Sequence, residues 1–334
     1  MLYGAAGYTG TLIAQHAIAR GHQPLLAGRN ARALVAVAEN LDLSFRAVVL
    51  DDPEALGRAL GDVDLVLNAA GPFLHTAAPL ADACLRAGVH YLDISNELQV
   101  FRALYELDER AQRAGACVIP GVGFGVVATN CLARHVSDAV GGAEWLEVAT
   151  RVASAQPGPG AAATMQENLP YGGWVRRGGQ LTPQELFTGI TTIDFPDGSC
   201  DAMPVPTGDL EAAFHATGAS NVVAFAASPP APGAPGPSAE EDAGPPIFRS
   251  FGWARATGRD GATAEALLET GDSYAFTPAA SIRAVEETLA RSPRGAFSPA
   301  AAFGPDFVWS IEDATRIDGP ARARDLVVTA GPND

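Results

Sequence analysis

Leu2-Tyr3-Gly4-Ala5-Ala6-Gly7-Tyr8-Thr9-Gly10 is the stretch on which the fold turns. A short apolar run enters three glycines spaced G-x-x-G-x-x-G. Residues 10–20 then carry Leu12, Ile13, Ala17 and Ile18 on one side, the period of a helix. Glycine lets the backbone turn tightly and come close to a ligand, while the start of a helix offers free N–H groups and a positive dipole end. At the first strand–helix junction of a βαβ unit, such a loop suits a dinucleotide pyrophosphate. Gly4, Gly7, Tyr8, Thr9 and Gly10 are the first candidate cofactor contacts.

The second strand, 24–27, runs into Leu26-Ala27-Gly28-Arg29-Asn30. NAD sites usually end this strand with a carboxylate that hydrogen-bonds the ribose 2′-hydroxyl and repels a 2′-phosphate. Here the carboxylate is missing and an arginine follows, whose forked N–H pair suits a phosphate. NADP(H) is the expected cofactor, with Arg29 and Asn30 beside its adenosine end.

Outward from there, short apolar runs at 47–50, 63–68, 91–94 and 117–119 alternate with helical patterns at 31–40, after Pro53, at 79–87 and at 98–115. Such alternation calls for a parallel sheet covered on both faces, with ligands beyond the carboxyl ends of its strands. Those ends supply Asp51, which can reach the adenine side, and Asn68-Ala69-Ala70-Gly71-Pro72-Phe73, whose small residues let a ribose or nicotinamide lie against the backbone. Asp52 equally suits a cap on the helix after Pro53. The nicotinamide is expected over residues 70–73, facing the turn at Gly121, Gly123 and Phe124.

From residue 126 the pattern changes to a helix over 126–137 and then half-covered strands at 145–152, 191–195, 203–206, 222–227 and 252–256, with a helix over 278–291. We divide the chain into a cofactor domain (1–125), a substrate domain (126–296, with a mobile proline-rich loop at 228–246) and a C-terminal segment (297–334) that returns to the first domain. Phe73, Tyr171 and Trp174 are candidate pocket walls together with the 121–124 turn. His75, just past that Gly-Pro-Phe turn, is the best acid–base candidate. Asp93 and Glu97 suit either a substrate amine or the cap of the helix beginning near Leu98. Arg176-Arg177 suits either a substrate carboxylate, a carrier phosphopantetheine or a solvated surface.

Composition narrows the chemistry. Hydrophobic residues make up 47% and charged residues 18%, as in a globular chain. The formal net charge of −16 argues against nucleic acid and anionic membranes as partners. All 22 basic residues are arginine, which excludes a Walker lysine, a Schiff-base lysine and a Tyr-x-x-x-Lys pair. Cys84, Cys117, Cys131 and Cys200 stand apart among small apolar residues and suggest buried thiols, with no metal site. The uncharged run 114–133 is interrupted by Pro120 and several glycines and does not suit a membrane span. No signal-peptide pattern opens the chain, so a cytoplasmic location is expected. Acidic chains of this kind often form homodimers, although no pattern here marks an interface.

The ordered set of Leu2-Tyr3-Gly4-Ala5-Ala6-Gly7-Tyr8-Thr9-Gly10, Leu26-Ala27-Gly28-Arg29-Asn30, Asn68-Ala69-Ala70-Gly71-Pro72-Phe73, His90-Tyr91-Leu92-Asp93-Ile94 and Pro120-Gly121-Val122-Gly123-Phe124 resembles the saccharopine dehydrogenase-like oxidoreductases, in particular the bacterial trans-acting enoyl reductase branch. Val175-Arg176-Arg177 and Gly304-Pro305-Asp306-Phe307 extend the likeness. The resemblance implies an α/β fold in which a Rossmann-type, doubly wound parallel sheet is joined to a smaller α/β, mixed-sheet substrate domain. It also implies hydride transfer between NADP(H) and a C=C or C=N bond of a small-molecule or carrier-bound intermediate, in the setting of bacterial secondary metabolism. Two other readings stay open: a Rossmann frame recruited for non-redox isomerisation or cyclisation, and a non-catalytic NADP(H)-sensing protein. Against the family pattern, Asn96 stands where glycine usually precedes Glu97, and few residues precede Gly4. A central strand commonly has about five or six residues, so either residues upstream of Met1 complete it or a stub is tolerated at some loss of stability.

Overall fold

The computed structural model describes residues 1–153, 162, 164, 166, 167, 169–186, 188–228 and 249–317. The proline-rich loop expected at 228–246, beyond residue 228, and residues 318–334 of the C-terminal segment fall outside them.

Strands β1 (Leu2–Tyr3), β2 (Leu26–Gly28), β3 (Phe45–Ala47), β4 (Leu65–Asn68), β5 (His90–Asp93) and β6 (Cys117–Ile119) alternate with helices. These are α1 (Tyr8–Ala19), α2 (Ala31–Leu41), α3 (Pro53–Leu60), α4 (Phe73–Ala87), α5 (Leu98–Tyr105) and α6 (Asp108–Ala114). Next come α7 (Phe124–Ala139), β7 (Ala143–Arg151), β8 (Gly173–Arg177), β9 (Gln180–Gln184), β10 (Thr191–Phe195), β11 (Gly198–Pro204), α8 (Asp209–Thr217) and β12 (Asn221–Ala227). The described chain ends with β13 (Ser250–Gly258), β14 (Thr263–Thr270), α9 (Ser273–Arg291), β15 (Gly295–Ala296), α10 (Pro299–Phe303) and β16 (Thr315–Ile317).

The first sheet is parallel throughout, in the order β15-β6-β5-β4-β1-β2-β3. Its winding reverses between β1 and β4, so the crevice beyond their carboxyl ends is the place where such sheets bind ligands. Short as it is, β1 pairs on both sides, Leu2 with Leu26 and Leu67, Tyr3 with Ala27 and Asn68. The second sheet is mixed, in the order β10-β11-β12-β7-β13-β14-β16, with β8 and β9 attached through β12. Only β12 and β7 run parallel among its described pairs.

One apolar core runs from Leu2, Ile13 and Leu67 through the α7 residues Val127, Cys131 and Leu132 to Val148, Ala254 and Leu268 of the second sheet. Helix α7 is buried along most of its length because β7, β13 and β14 of the second sheet pack on it together with helices α8, α9 and α10. A smaller core in the second sheet encloses Arg151, whose guanidinium lies between the rings of Phe195 and Phe251 at 4.6 and 4.3 Å and pairs with Asp197 at 2.6 Å. All four cysteines are free and buried, and burial pushes the Cys117 and Cys131 thiols up to about 12. No helix among the described residues is long and apolar enough to cross a membrane.

Three local expectations need correction. The third strand lies at Phe45–Ala47, ahead of the apolar run 47–50; as a sheet edge it is exposed, and Phe45 itself is 39% accessible. Helix α4 starts at Phe73 rather than Pro79, which sits inside it on the solvent side, where water can serve the carbonyl that proline leaves unbonded. The helix expected over 98–115 breaks into α5 and α6 at Glu106–Leu107, where Leu107 N bonds back to Leu104 O at 3.1 Å.

Candidate functional site

Each glycine of the first loop has a separate structural reason. Gly4 adopts φ 86°, and a Cβ there would lie 2.6 Å from Ala70 N; its own N–H bonds Ala27 O at 2.8 Å. It thereby brings the end of β1 against the end of β4. A Cβ on Gly10 would lie 2.2 Å from Gly4 O, so the loop can fold under α1 only without a side chain at this position. Gly7 is the N-cap of α1, is exposed, and makes no side-chain cap. The first-turn N–H groups are therefore left to an anionic ligand. Tyr8 is 62% exposed and meets Tyr274 edge-on at 5.3 Å, and Thr9 is half-buried. A backbone cradle closed to side chains beneath an uncapped helix fits a pyrophosphate.

At the adenosine end, Arg29 and Asp51 are exposed, and both act on Tyr3. Burial raises that phenol; Arg29 opposes the shift and Asp51 adds to it. No ion pair engages Arg29 among the described residues, so its guanidinium is available for a 2′-phosphate. Asn30 accepts from Ala33 N at 3.1 Å as the cap of α2, and Asp52 accepts from Ala55 N at 2.9 Å as the cap of α3. Their side chains are used locally.

The nicotinamide end is organised by buried polar groups. Asn68 is fully buried: its Oδ1 accepts from Ala70 N at 3.0 Å, and its Nδ2 donates to Tyr91 OH at 3.1 Å and Thr76 Oγ1 at 3.3 Å. Tyr91 OH donates to Asp93 at 2.9 Å; Asp93 also accepts from Ser95 N, Ser95 Oγ and Gly121 N at 2.9, 2.6 and 3.0 Å. Burial raises the Asp93 pKa against the pull of these bonds. The chain of contacts locks residues 68–72 to the Gly121–Gly123 turn. Ala69, Ala70 and Pro72 are half-buried and Gly71 is exposed, a low shelf of backbone and small side chains.

Phe73, Gly121, Gly123 and Phe124 face inward. Phe73 is 8% exposed in the core. Gly121, at φ 73°, faces the Phe101 ring, where a Cβ would lie 2.6 Å away. Gly123 abuts Thr277, whose hydroxyl receives Phe124 N at 3.2 Å, and Phe124 packs edge-on against Phe276 at 5.5 Å. His75 projects from the first turn of α4, 69% exposed, with its Nε2 3.1 Å from a Glu167 carboxylate oxygen. Tyr171 is half-exposed before β8, and its carbonyl accepts from the Trp174 indole at 2.8 Å. No hydrogen bond among the described residues links either to the shelf.

Arg176 is no surface anion ligand. It is 5% exposed, bonds Gly179 O at 2.6 Å and Leu210 O at 3.3 Å, pairs with Glu211 at 2.8 Å and lies 4.0 Å over the Phe214 ring. Arg177 lies 4.8 Å over Trp145. Sequence reasoning missed Thr76, Tyr91 and Ser95 as organisers of the shelf; the spacing of Tyr91 and Asp93, on one face of a strand end, was a usable signal.

Residues 1–119 match the family model described as the saccharopine dehydrogenase NADP-binding domain. The match spans β1 to β6 of the first sheet, and NADP(H) is the cofactor. Trans-acting enoyl reductases of Mycobacterium ulcerans and Mycobacterium leprae are 31% identical over 144 residues and 33% identical over 138. Those matches cover 41% and 39% of this chain and 34% and 33% of the relatives, about a third of their length. Saccharopine dehydrogenase (L-Glu forming) of Saccharomyces cerevisiae, in its apo form, superposes with a TM-score of 0.63 at 12% identity, covering 95% of this chain and 99% of that one. The two-sheet fold is that of saccharopine dehydrogenase.

Proposed function

We propose that this chain is an NADPH-dependent reductase acting on a C=C bond, or secondarily a C=N bond, of a small-molecule or carrier-bound substrate. The observation that carries the reading is the match to an NADP-binding domain, with its uncapped glycine cradle and, at the end of the second strand, an arginine with no ion pair among the described residues. In that reading residues 4–10 receive the pyrophosphate, Arg29 the 2′-phosphate and residues 69–72 the face of the nicotinamide. Bound NADPH supplies a hydride. His75, at the rim of the shelf, supplies the proton, and Glu167 orients its ring. Reduction of an activated double bond needs neither a lysine nor a triad, because donors that hold the developing negative charge suffice.

Incubation with deuteride-labelled NADPH and candidate enoyl and imine substrates tests the reaction: deuterium should appear in the product as the cofactor is oxidised. Product without deuterium and with unspent cofactor would replace this reading with the non-redox one. For cofactor choice, Arg29→Ala should weaken NADPH by about 1.5–3 kcal/mol, the worth of hydrogen bonds to a charged group. NADH binding should barely change. Equal affinity of the wild-type protein for the two cofactors would remove Arg29 from this role.

A further inference from the structure

The Glu97 side chain serves neither use that its sequence position suggests. It occupies the N-cap position of α5, yet makes no side-chain cap, and at 2% exposure it is closed off from a substrate amine in the cleft. One carboxylate oxygen accepts from Phe73 N at 3.2 Å and Thr164 Oγ1 at 3.3 Å, and the other accepts from Asn96 N at 2.9 Å. The Glu97 backbone bridges Thr207, and Gly208 N donates to Asn96 O at 2.9 Å. Donors from the shelf turn, from the loop after β5 and from the chain before β8 thus meet on one buried carboxylate. Burial raises its pKa, and the two backbone N–H groups pull it back down. A carboxylate is kept this deep only where such donors replace its water.

We propose that Glu97 is a positioning residue for the nicotinamide end of the cofactor: its carboxylate fixes the Gly71–Phe73 turn, and its backbone joins that turn to Thr207, in the segment between β11 and α8. The assignment rests on the NADP(H) reading above. The adenosine end is held by residues 4–10 and Arg29, and no described hydrogen bond connects Glu97 to either. A loss at Glu97 is therefore felt at one end of the cofactor only.

The test compares NADPH with 2′,5′-ADP, which carries the adenosine end without nicotinamide, by calorimetric titration of wild-type protein and Glu97→Gln. Glutamine sets an NH2 group against one of the two backbone donors. NADPH should bind roughly tenfold more weakly, the expected cost of one unmet buried donor, and 2′,5′-ADP should bind as before. Equal losses for the two ligands, or none for either, would overturn the positioning role. Thr164→Val removes a single hydroxyl donor, should show the same selectivity at smaller size, and decides the matter if Glu97→Gln does not fold. Wild-type protein that binds neither ligand would overturn the cofactor reading and this assignment with it.

Discussion

Gly10→Ala is expected to abolish NADPH binding, with affinity falling about 100-fold or more, or about 3 kcal/mol. The new methyl would sit 2.2 Å from Gly4 O and 2.9 Å from Ala5 Cα, both backbone atoms. Gly4 cannot give way, because its own Cα side faces Ala70 N and its N–H is bonded to Ala27 O. The collision therefore passes into the pairing of β1 with β2 and β4. Overpacking of this kind costs about 1–3 kcal/mol of stability, and a backbone obstacle argues for the upper end. Gly57→Ala is the control: it lies in α3 with open space around its Cβ position and should gain about 0.5–1 kcal/mol. Denaturant midpoints and NADPH titrations read both effects. Wild-type affinity in Gly10→Ala would mean that the loop does not form the cradle.

Arg176→Met should destabilise the fold by about 3–5 kcal/mol, because it leaves the Glu211 carboxylate buried without its partner. The carbonyls of Gly179 and Leu210 would lose their donor, and Phe214 would lose the cation over its ring. Arg176→Met/Glu211→Leu should recover most of that loss, since removing both charges also removes the need to keep them from water. Arg177→Ala, next in sequence, should cost under about 1 kcal/mol, since its cation lies over the ring of the partly exposed Trp145. Urea unfolding of wild type, Arg176→Met, Glu211→Leu and the double variant gives the cycle, with Arg177→Ala as the comparison. If Arg176→Met were as stable as wild type, the arginine would again be a candidate anion ligand.

The first domain was legible because its signals are local. Three glycines at fixed spacing report backbone that admits no Cβ, apolar runs report buried strands, and a strand end without a carboxylate reports the electrostatics of one ligand group. Each depends on residues within a few positions of one another, so the glycine loop, the alternation of strands and helices and the choice of NADP(H) could all be read along the chain. The same signals misjudged 47–50 and Pro79: apolar character alone does not tell an edge strand from a central one, or a proline that starts a helix from one inside it.

Tertiary structure decided where the polar side chains point. Asn68, Asp93 and Glu97 lie at strand ends where a ligand contact was a fair expectation, yet all three turn inward because partners distant in sequence meet them: the Tyr91 hydroxyl accepts from Asn68, Gly121 N donates to Asp93 and Phe73 N donates to Glu97. Arg176 was equally ambiguous until Glu211 and Phe214 of α8 were brought under β8. The sequence by itself determined the backbone of the cofactor cradle, because that geometry is dictated by what the local chain can sterically adopt. Only the tertiary structure determined which charged groups are clamps and which remain free for ligands, because a buried charge is tolerable solely where the fold delivers its partner.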